Sequence, residues 1–251
     1  EYVRHYAAGG FTPPLAHYRC RNLSWDLTAA WAGQTIGLAG VLLVLADAVE
    51  GDYGLAIPFA CEVDRMPTAA CEQLPARRLA RQQDRVLLNE KHPEDGPLLK
   101  ENMKKDPRVV VHLGEGWHVP RALLPVQEKR AIMLIDPPFE QADELKRCTT
   151  SMKEAISRMR QTVAAIWYPI KDQRSLTRFY QDLTSTGAPK LLRVELYVHH
   201  QDSPQGLNGS GLAIANPPWG LEEELHELLP WLAKELAQTA GSYRMDWLIA
   251  E

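Results

Sequence analysis

Cysteine is scarce in this 251-residue sequence: Cys20, Cys61, Cys71 and Cys148 form no C-x-x-C pair and have no histidine at metal-ligand spacing. That pattern excludes a zinc finger or a dithiol redox couple, and it predicts no metal site. An excess of positive charge is also lacking, with 28 Lys and Arg against 32 Asp and Glu and a net charge of −4. A surface coated in positive charge for indiscriminate nucleic-acid binding is therefore excluded, and any such contact must use a local patch. Basic residues do bunch, at Arg77, Arg78, Arg81 and Arg85, at Lys100, Lys104, Lys105 and Arg108, and at Lys146, Arg147, Lys153, Arg158 and Arg160. Each run reads first as a solvated helix face. Long hydrophobic runs are missing too. The longest apolar stretch, residues 36–46, is broken by glycines and is too short to cross a bilayer. With acidic Glu1 where a signal peptide would have its basic start, the expectation is a cytoplasmic protein with no membrane partner.

What is present is a chain of ordinary globular composition, 45% hydrophobic and 24% charged, long enough to bury one large core. Short β-rich runs alternate with stretches of helical periodicity, the pattern of an α/β domain with a largely parallel sheet. Strands are expected at 41–46, 85–90, 108–113, 131–136, 162–167, 190–198, 211–215 and 244–249, and helices at 95–105, 141–160, 173–186 and 221–239. Pro93 and Glu94 open the first helix, Asp106-Pro107 closes it, and Gly187 stops the third. A single domain over 1–251 is expected, with a small helical insertion at about 54–84 in the stretch rich in Ala, Arg, Pro and Cys.

In an open parallel sheet, ligands sit beyond the carboxyl ends of the strands, so polar residues that close apolar strands are the first candidates for chemistry. Three expected strands lead into acids: Val86-Leu87-Leu88-Asn89 into Glu90, Val109-Val110-Val111-His112-Leu113 into Glu115-Gly116, and Ile132-Met133-Leu134-Ile135 into Asp136. Glu90 suits both hydroxyls of a ribose, as the acid ending the second strand does in dinucleotide folds. Glu115 suits an adenine amine, and Gly116 lets backbone approach the ring.

The sharpest motif is Asp136-Pro137-Pro138-Phe139. An aromatic amine is a poor nucleophile because its lone pair is delocalised into the ring. An Asp136 oxygen and the Pro137 carbonyl can accept both amine hydrogens, which localises that pair toward an electrophilic methyl group. Pro138 lacks an N–H and fixes φ, so the turn is stiff. Phe139 offers a face for an unstacked base. A second match, Asn216-Pro217-Pro218-Trp219, lies far downstream of the acid-tipped strands. It is expected to be a structural turn, with Trp219 packed under the helix that starts at Leu221.

Taken in order, Leu88-Asn89-Glu90-Lys91-His92-Pro93, Leu134-Ile135-Asp136-Pro137-Pro138-Phe139, Trp167-Tyr168-Pro169, Gly209-Ser210-Gly211-Leu212, Asn216-Pro217-Pro218-Trp219 and Leu229-Pro230-Trp231-Leu232 make the sequence resemble the RlmJ family from about Arg85 onward. These are bacterial 23S ribosomal RNA adenine-N6 methyltransferases. The resemblance implies a Rossmann-like fold for S-adenosylmethionine, with Asp136, Pro137 and Phe139 as the catalytic group and 23S ribosomal RNA as the partner; the oligomeric state is left open, with a monomer favoured. It implies Glu90, Glu115 and Gly116 at the methyl donor, although the family usually has Asp where Glu115 stands. It further implies His17 at the donor and Tyr2 at the RNA. The family's glycine-rich first turn corresponds to Leu45-Ala46-Asp47-Ala48-Val49-Glu50-Gly51, which brings Asp47 and Gly51 to the donor. Val49 and Glu50 add β-carbons and a negative charge to that turn, which leaves open an RNA-binding or ribosome-assembly protein with weak or no transfer. Methylation of a protein glutamine is a third reading, because that chemistry uses a similar motif usually opened by Asn.

Overall fold

The computed structural model describes residues 41–46, 82, 84–91, 93, 95–128, 130–137, 139, 141–171, 173–200, 203 and 207–250. The expected insertion at 54–84 lies almost wholly outside them. Their strands form one eight-stranded sheet: β1 (Val41–Ala46), β2 (Arg85–Glu90), β3 (Val109–Leu113), β4 (Ala131–Asp136), β5 (Val163–Ile170), β6 (Leu191–Tyr197), β7 (Gly209–Ala215) and β8 (Ser242–Ile249). The order is β3-β2-β1-β4-β5-β7-β6-β8. β1 to β5 pair in parallel, whereas β7 and β8 run against β5 and β6. This is the expected Rossmann-like α/β fold, whose order reverses at β1 and β4.

Helices cover both faces, as strands that are apolar on both sides require. On one face α1 (Asp95–Met103) and α5 (Leu221–Leu236) pack Leu99, Met103, Leu225 and Leu229 over Val86, Leu88, Leu134 and Trp167. On the other, α3 (Glu144–Arg158) and α4 (Gln173–Thr184) pack Cys148, Met152, Ile156, Phe179 and Leu183 over Leu87, Met133, Ile135 and Ile166. Neighbours on a strand face opposite ways, so Leu87 and Leu88 enter different cores. The short α2 (Val119–Leu123), with Pro120 in its first turn, was not foreseen.

Two boundaries differ from the sequence expectation for physical reasons. β5 runs on to Ile170, through Pro169, where the sequence suggested a stop at 167. Its pairing with β4 ends at Ile166, whereas its pairing with β7 continues to Ile170. Pro169 therefore sits where one edge has no strand beside it, the place where a missing N–H is tolerated. α1 ends at Met103, short of Asp106-Pro107, because Asp106 turns the chain: its N–H donates to the Met103 carbonyl, and its carboxylate receives the Arg108 guanidinium at 2.7 Å.

A buried polar network ties the antiparallel half together. Glu195 on β6 is fully buried and accepts the hydroxyls of Tyr168 at 2.8 Å, Tyr180 at 2.5 Å and Tyr197 at 2.7 Å. Burial, followed by the Glu195 charge, pushes the Tyr168 and Tyr180 hydroxyls up, so both stay protonated donors. Gly211, opposite Tyr168 on β7, makes room for that ring: a Cβ there would lie 2.2 Å from Cζ. Next to Glu195, Arg193 lies over the Tyr180 ring at 4.4 Å and makes a two-point ion pair with Asp246 of β8, at 2.9 and 2.7 Å.

That ion pair fastens the edge strand. The Arg193 side chain is 4% exposed, so removing its partner strands a buried charge. Asp246→Ala is expected to lower the unfolding free energy by about 2–3 kcal/mol; an unmoved urea midpoint would show that β8 is held without it. Partial burial works to raise the Asp246 carboxyl, but hydrogen bonds from Arg193 and the charges of Arg193 and Arg244 outweigh it and hold the group below its usual value. A depressed folded pKa adds stability that is complete above the unfolded value of about 3.9 and is lost as pH falls through the folded one. The gap between wild type and Asp246→Ala should therefore hold constant above about pH 5 and shrink as pH falls below it, through the folded value.

Candidate active site

Register places the acids. Ala46 of β1 stands opposite Asp136, and Leu45 stands opposite both Asn89 and Ile135, so the tips of β2, β1 and β4 form one row. Glu90 and Asp136 flank the end of β1, and two inter-strand spacings set their backbones about 10 Å apart. Both acids are buried, Glu90 at 1% and Asp136 at 6% exposure, although each ends a strand. A Glu90 oxygen accepts the Lys91 N–H at 2.7 Å, which turns the carboxylate back over the strand end.

Glu115 sits differently. β3 ends at Leu113, and Glu115 lies two residues further on in an exposed loop, where its carboxylate pairs with Lys91 Nζ at 3.0 Å. The loop itself is held firmly. Asn89 Nδ2 donates to the Gly114 carbonyl at 2.7 Å, and the Gly114 N–H donates to the Glu90 carbonyl at 2.9 Å. Gly114 adopts φ 149°, a backbone region that strongly favours glycine. Gly116 is buried and begins a 3-10 turn, Gly116–His118. Trp117 in that turn lies under the Arg147 guanidinium of α3, 5.8 Å from the ring centre.

On the other side of the row, Pro137 is buried and Phe139 half-buried. Phe139 takes φ 58°, which costs a non-glycine residue about 1–3 kcal/mol. Its ring meets Trp167 of β5 at 5.6 Å between centroids, tilted by 58°. Trp167 is 2% exposed, so it supplies a fixed wall behind the phenyl ring. The structure thus brings Glu90, Glu115, Gly116, Asp136, Pro137 and Phe139 to one end of the sheet. Tyr2, His17, Asp47 and Gly51 lie outside the described residues.

Asn89, Lys91, Gly114 and Trp167 were not singled out from sequence. Asn89, Lys91 and Trp167 stand inside quoted motifs, and their signal was adjacency to an acid or an aromatic. The role of Gly114 shows only in its backbone angle.

Asn216-Pro217-Pro218-Trp219 lies at the opposite end of the sheet, since Ala215 pairs with Ala164 near the start of β5. Asn216, at φ 52°, donates through Nδ2 to the carbonyls of Arg160 and Thr162, so the motif is a structural turn as expected. The expectation for Trp219 is wrong: it is 95% exposed. The space under α5 is taken by Leu221 and Leu225, and Gly220 at φ 85° turns the chain so that the preceding ring stays outside.

Comparison with known proteins agrees with this geometry. A family model described as "Ribosomal RNA large subunit methyltransferase D, RlmJ" matches residues 70–249. The ribosomal RNA large subunit methyltransferases J of Haemophilus influenzae and Escherichia coli are 37% and 35% identical over 179 residues, 71% of this chain. The matched stretch spans 64% of the length of each of those relatives. Among solved structures, protein LPL1258 from Legionella pneumophila superposes with a TM-score of 0.65 at 23% identity, over 95% of this chain and 97% of that one, which shows a common fold. A match that takes in every acid-tipped strand from β2 onward and both Pro-Pro turns leaves one assignment: the chain belongs to the RlmJ family of ribosomal RNA large subunit methyltransferases.

Proposed function

We propose that this chain transfers a methyl group from S-adenosylmethionine to the exocyclic N6 amine of an adenine in 23S ribosomal RNA. The observation that carries the reading is the buried Asp136 at the end of β4, in register with the buried Glu90 and followed by the Phe139 ring. The reading also leans on the family and on its relatives, which are named for ribosomal RNA.

The residues present suit the methyl donor. Glu90, buried and oriented by the Lys91 N–H, offers carboxylate acceptors to a ribose diol. Glu115 and the Gly116 backbone, one strand further out, suit the donor's adenine, while His17, Asp47 and Gly51 are proposed there on the family resemblance alone. S-adenosylmethionine, when bound, supplies a methyl group made transferable by the sulfonium charge.

Everything else is done by the chain. Asp136 and the Pro137 carbonyl accept the two amine hydrogens and hold the nitrogen with its lone pair out of the ring plane. The nitrogen gains a bond to carbon and gives up one proton, for which Asp136 is the nearest acceptor in this reading. The base lies against Phe139, whose ring is stopped from behind by Trp167. Tyr2 is proposed to meet the RNA.

Asp136→Asn keeps the size but loses the strongest acceptor. It is expected to lower incorporation of tritiated methyl into ribosomal RNA at least about 100-fold while S-adenosylhomocysteine still binds; wild-type rates in this variant would remove Asp136 from the chemistry. A wild type that binds RNA but transfers no methyl would favour the assembly-protein reading. Phe139→Ala is expected to raise KM for RNA by about tenfold or more, the scale of one lost base-stacking contact. Phe139→Tyr should restore it, and equal KM values for Ala and Tyr would argue that no base lies there.

A further inference from the structure

We infer that Asn89 is a positioning residue, which sets the preference of this site for a 6-aminopurine by locking the loop Gly114-Glu115-Gly116 to the tip of β2. The inference rests on the proposed methyl-donor reading and deepens it.

Asn89 is 4% exposed and lies on the face of β2 opposite to Glu90, so it is turned away from the ribose acid. Its side chain reaches across to β3's loop and donates to the Gly114 carbonyl at 2.7 Å. The Gly114 N–H closes the grip from the other side by donating to the Glu90 carbonyl at 2.9 Å. One glycine is thereby clamped through both its backbone groups, at a φ of 149° that leaves a side chain little freedom.

The clamp has a directional consequence. In a trans peptide the carbonyl of one residue and the N–H of the next point opposite ways. Fixing the Gly114 carbonyl on Asn89 therefore fixes the Glu115 N–H on the opposite side of that peptide, in the same loop as the Glu115 carboxylate. A backbone donor beside a carboxylate acceptor matches the edge of an adenine, which presents a ring-nitrogen acceptor beside an amine donor. Hypoxanthine inverts both groups, with an N–H donor beside an oxygen acceptor, so a rigid loop must reject it.

The Lys91–Glu115 pair cannot hold this geometry alone. Both side chains are more than 40% exposed, and exposed ion pairs contribute little. The Asn89 amide is buried at its own end, so losing its bond to the Gly114 carbonyl leaves a desolvated polar group, which makes Asn89 the part of the clamp that matters.

The test is calorimetry on the purified chain with S-adenosylhomocysteine, S-inosylhomocysteine and 2′-deoxy S-adenosylhomocysteine. Wild type is expected to prefer the adenosyl over the inosyl compound by at least about 100-fold. Asn89→Asp, nearly identical in shape but turning an acceptor toward the Gly114 carbonyl, should narrow that ratio by about tenfold or more, and leave the ratio between ribose and deoxyribose compounds as in wild type. Gly114→Ala strains the same loop from its other end without touching the strand, and should produce the same selective loss. An unchanged adenosyl-to-inosyl ratio in both variants overturns the inference while leaving the methyl-donor reading standing. An equal fall in both ratios also overturns it, because it marks general loosening. A wild type that binds none of the three compounds overturns the inference together with the reading beneath it.

Discussion

The parallel register of β1 with its two neighbours is the constraint on which the site depends. A strand's side chains alternate between faces, so a slip of one residue would send Asp136 and Glu90 to the wrong sides and expose half of each core. The register is fixed by what lies beneath the tips. Leu134 and Leu88 must enter the core under α1 and α5, while Met133 and Leu87 must enter the one under α3 and α4. Once these three apolar strands are aligned to satisfy both cores, Glu90, Ala46 and Asp136 have no other place to be than one row at the carboxyl end. The acids stay buried there because the loops beyond them fold back, as the clamp on Gly114 and the turn through Pro137 both do.

The antiparallel half serves this row from a distance. β5 must outrun β4 for Trp167 to stand behind Phe139, and it can do so because β7 keeps pairing with it to Ile170. β7 is in turn held flat against β5 by glycine at 211, where any larger residue would collide with Tyr168. Tyr168 is anchored by Glu195, and Glu195 is satisfied by three hydroxyls, a balance that a buried carboxylate requires. Such a network is poor evidence for added stability, but it admits few arrangements, which keeps the wall behind the Phe139 ring in one place.

Much of this was legible in the sequence because the signals were local. An apolar run that ends on an acid marks both a strand and its tip, and β1, β2 and β4 run over the residues expected of them. Pro-Pro after a strand marks a turn, and the one at Asn216-Pro217-Pro218 is there. What was not legible depends on contacts between distant segments. Pro169 argued against strand until β4 was known to stop at Ile166. Trp219 is apolar and precedes a helix, yet its exposure is decided by Leu221 and Leu225 filling the space first. Asn89 is one polar residue before a more conspicuous acid, and only the fold brings Gly114 within its reach.

The turn after Asp136 must be held from outside, and the magnitudes say by what. A positive φ at Phe139 costs about 1–3 kcal/mol, whereas a tilted aromatic pair such as Phe139–Trp167 returns about 0.5–1.5 kcal/mol. The pair alone does not offset the strain. The remainder comes from burial: Phe139 packs against both core clusters, and removing even half of an aromatic side chain from water contributes on the order of 1–2 kcal/mol. The backbone is therefore bent to suit the ring, and the ring is where the two cores and β5 leave it room. A short motif can set a buried acid and an aromatic ring at the end of one strand only because the sheet behind it has already fixed where that ring must lie.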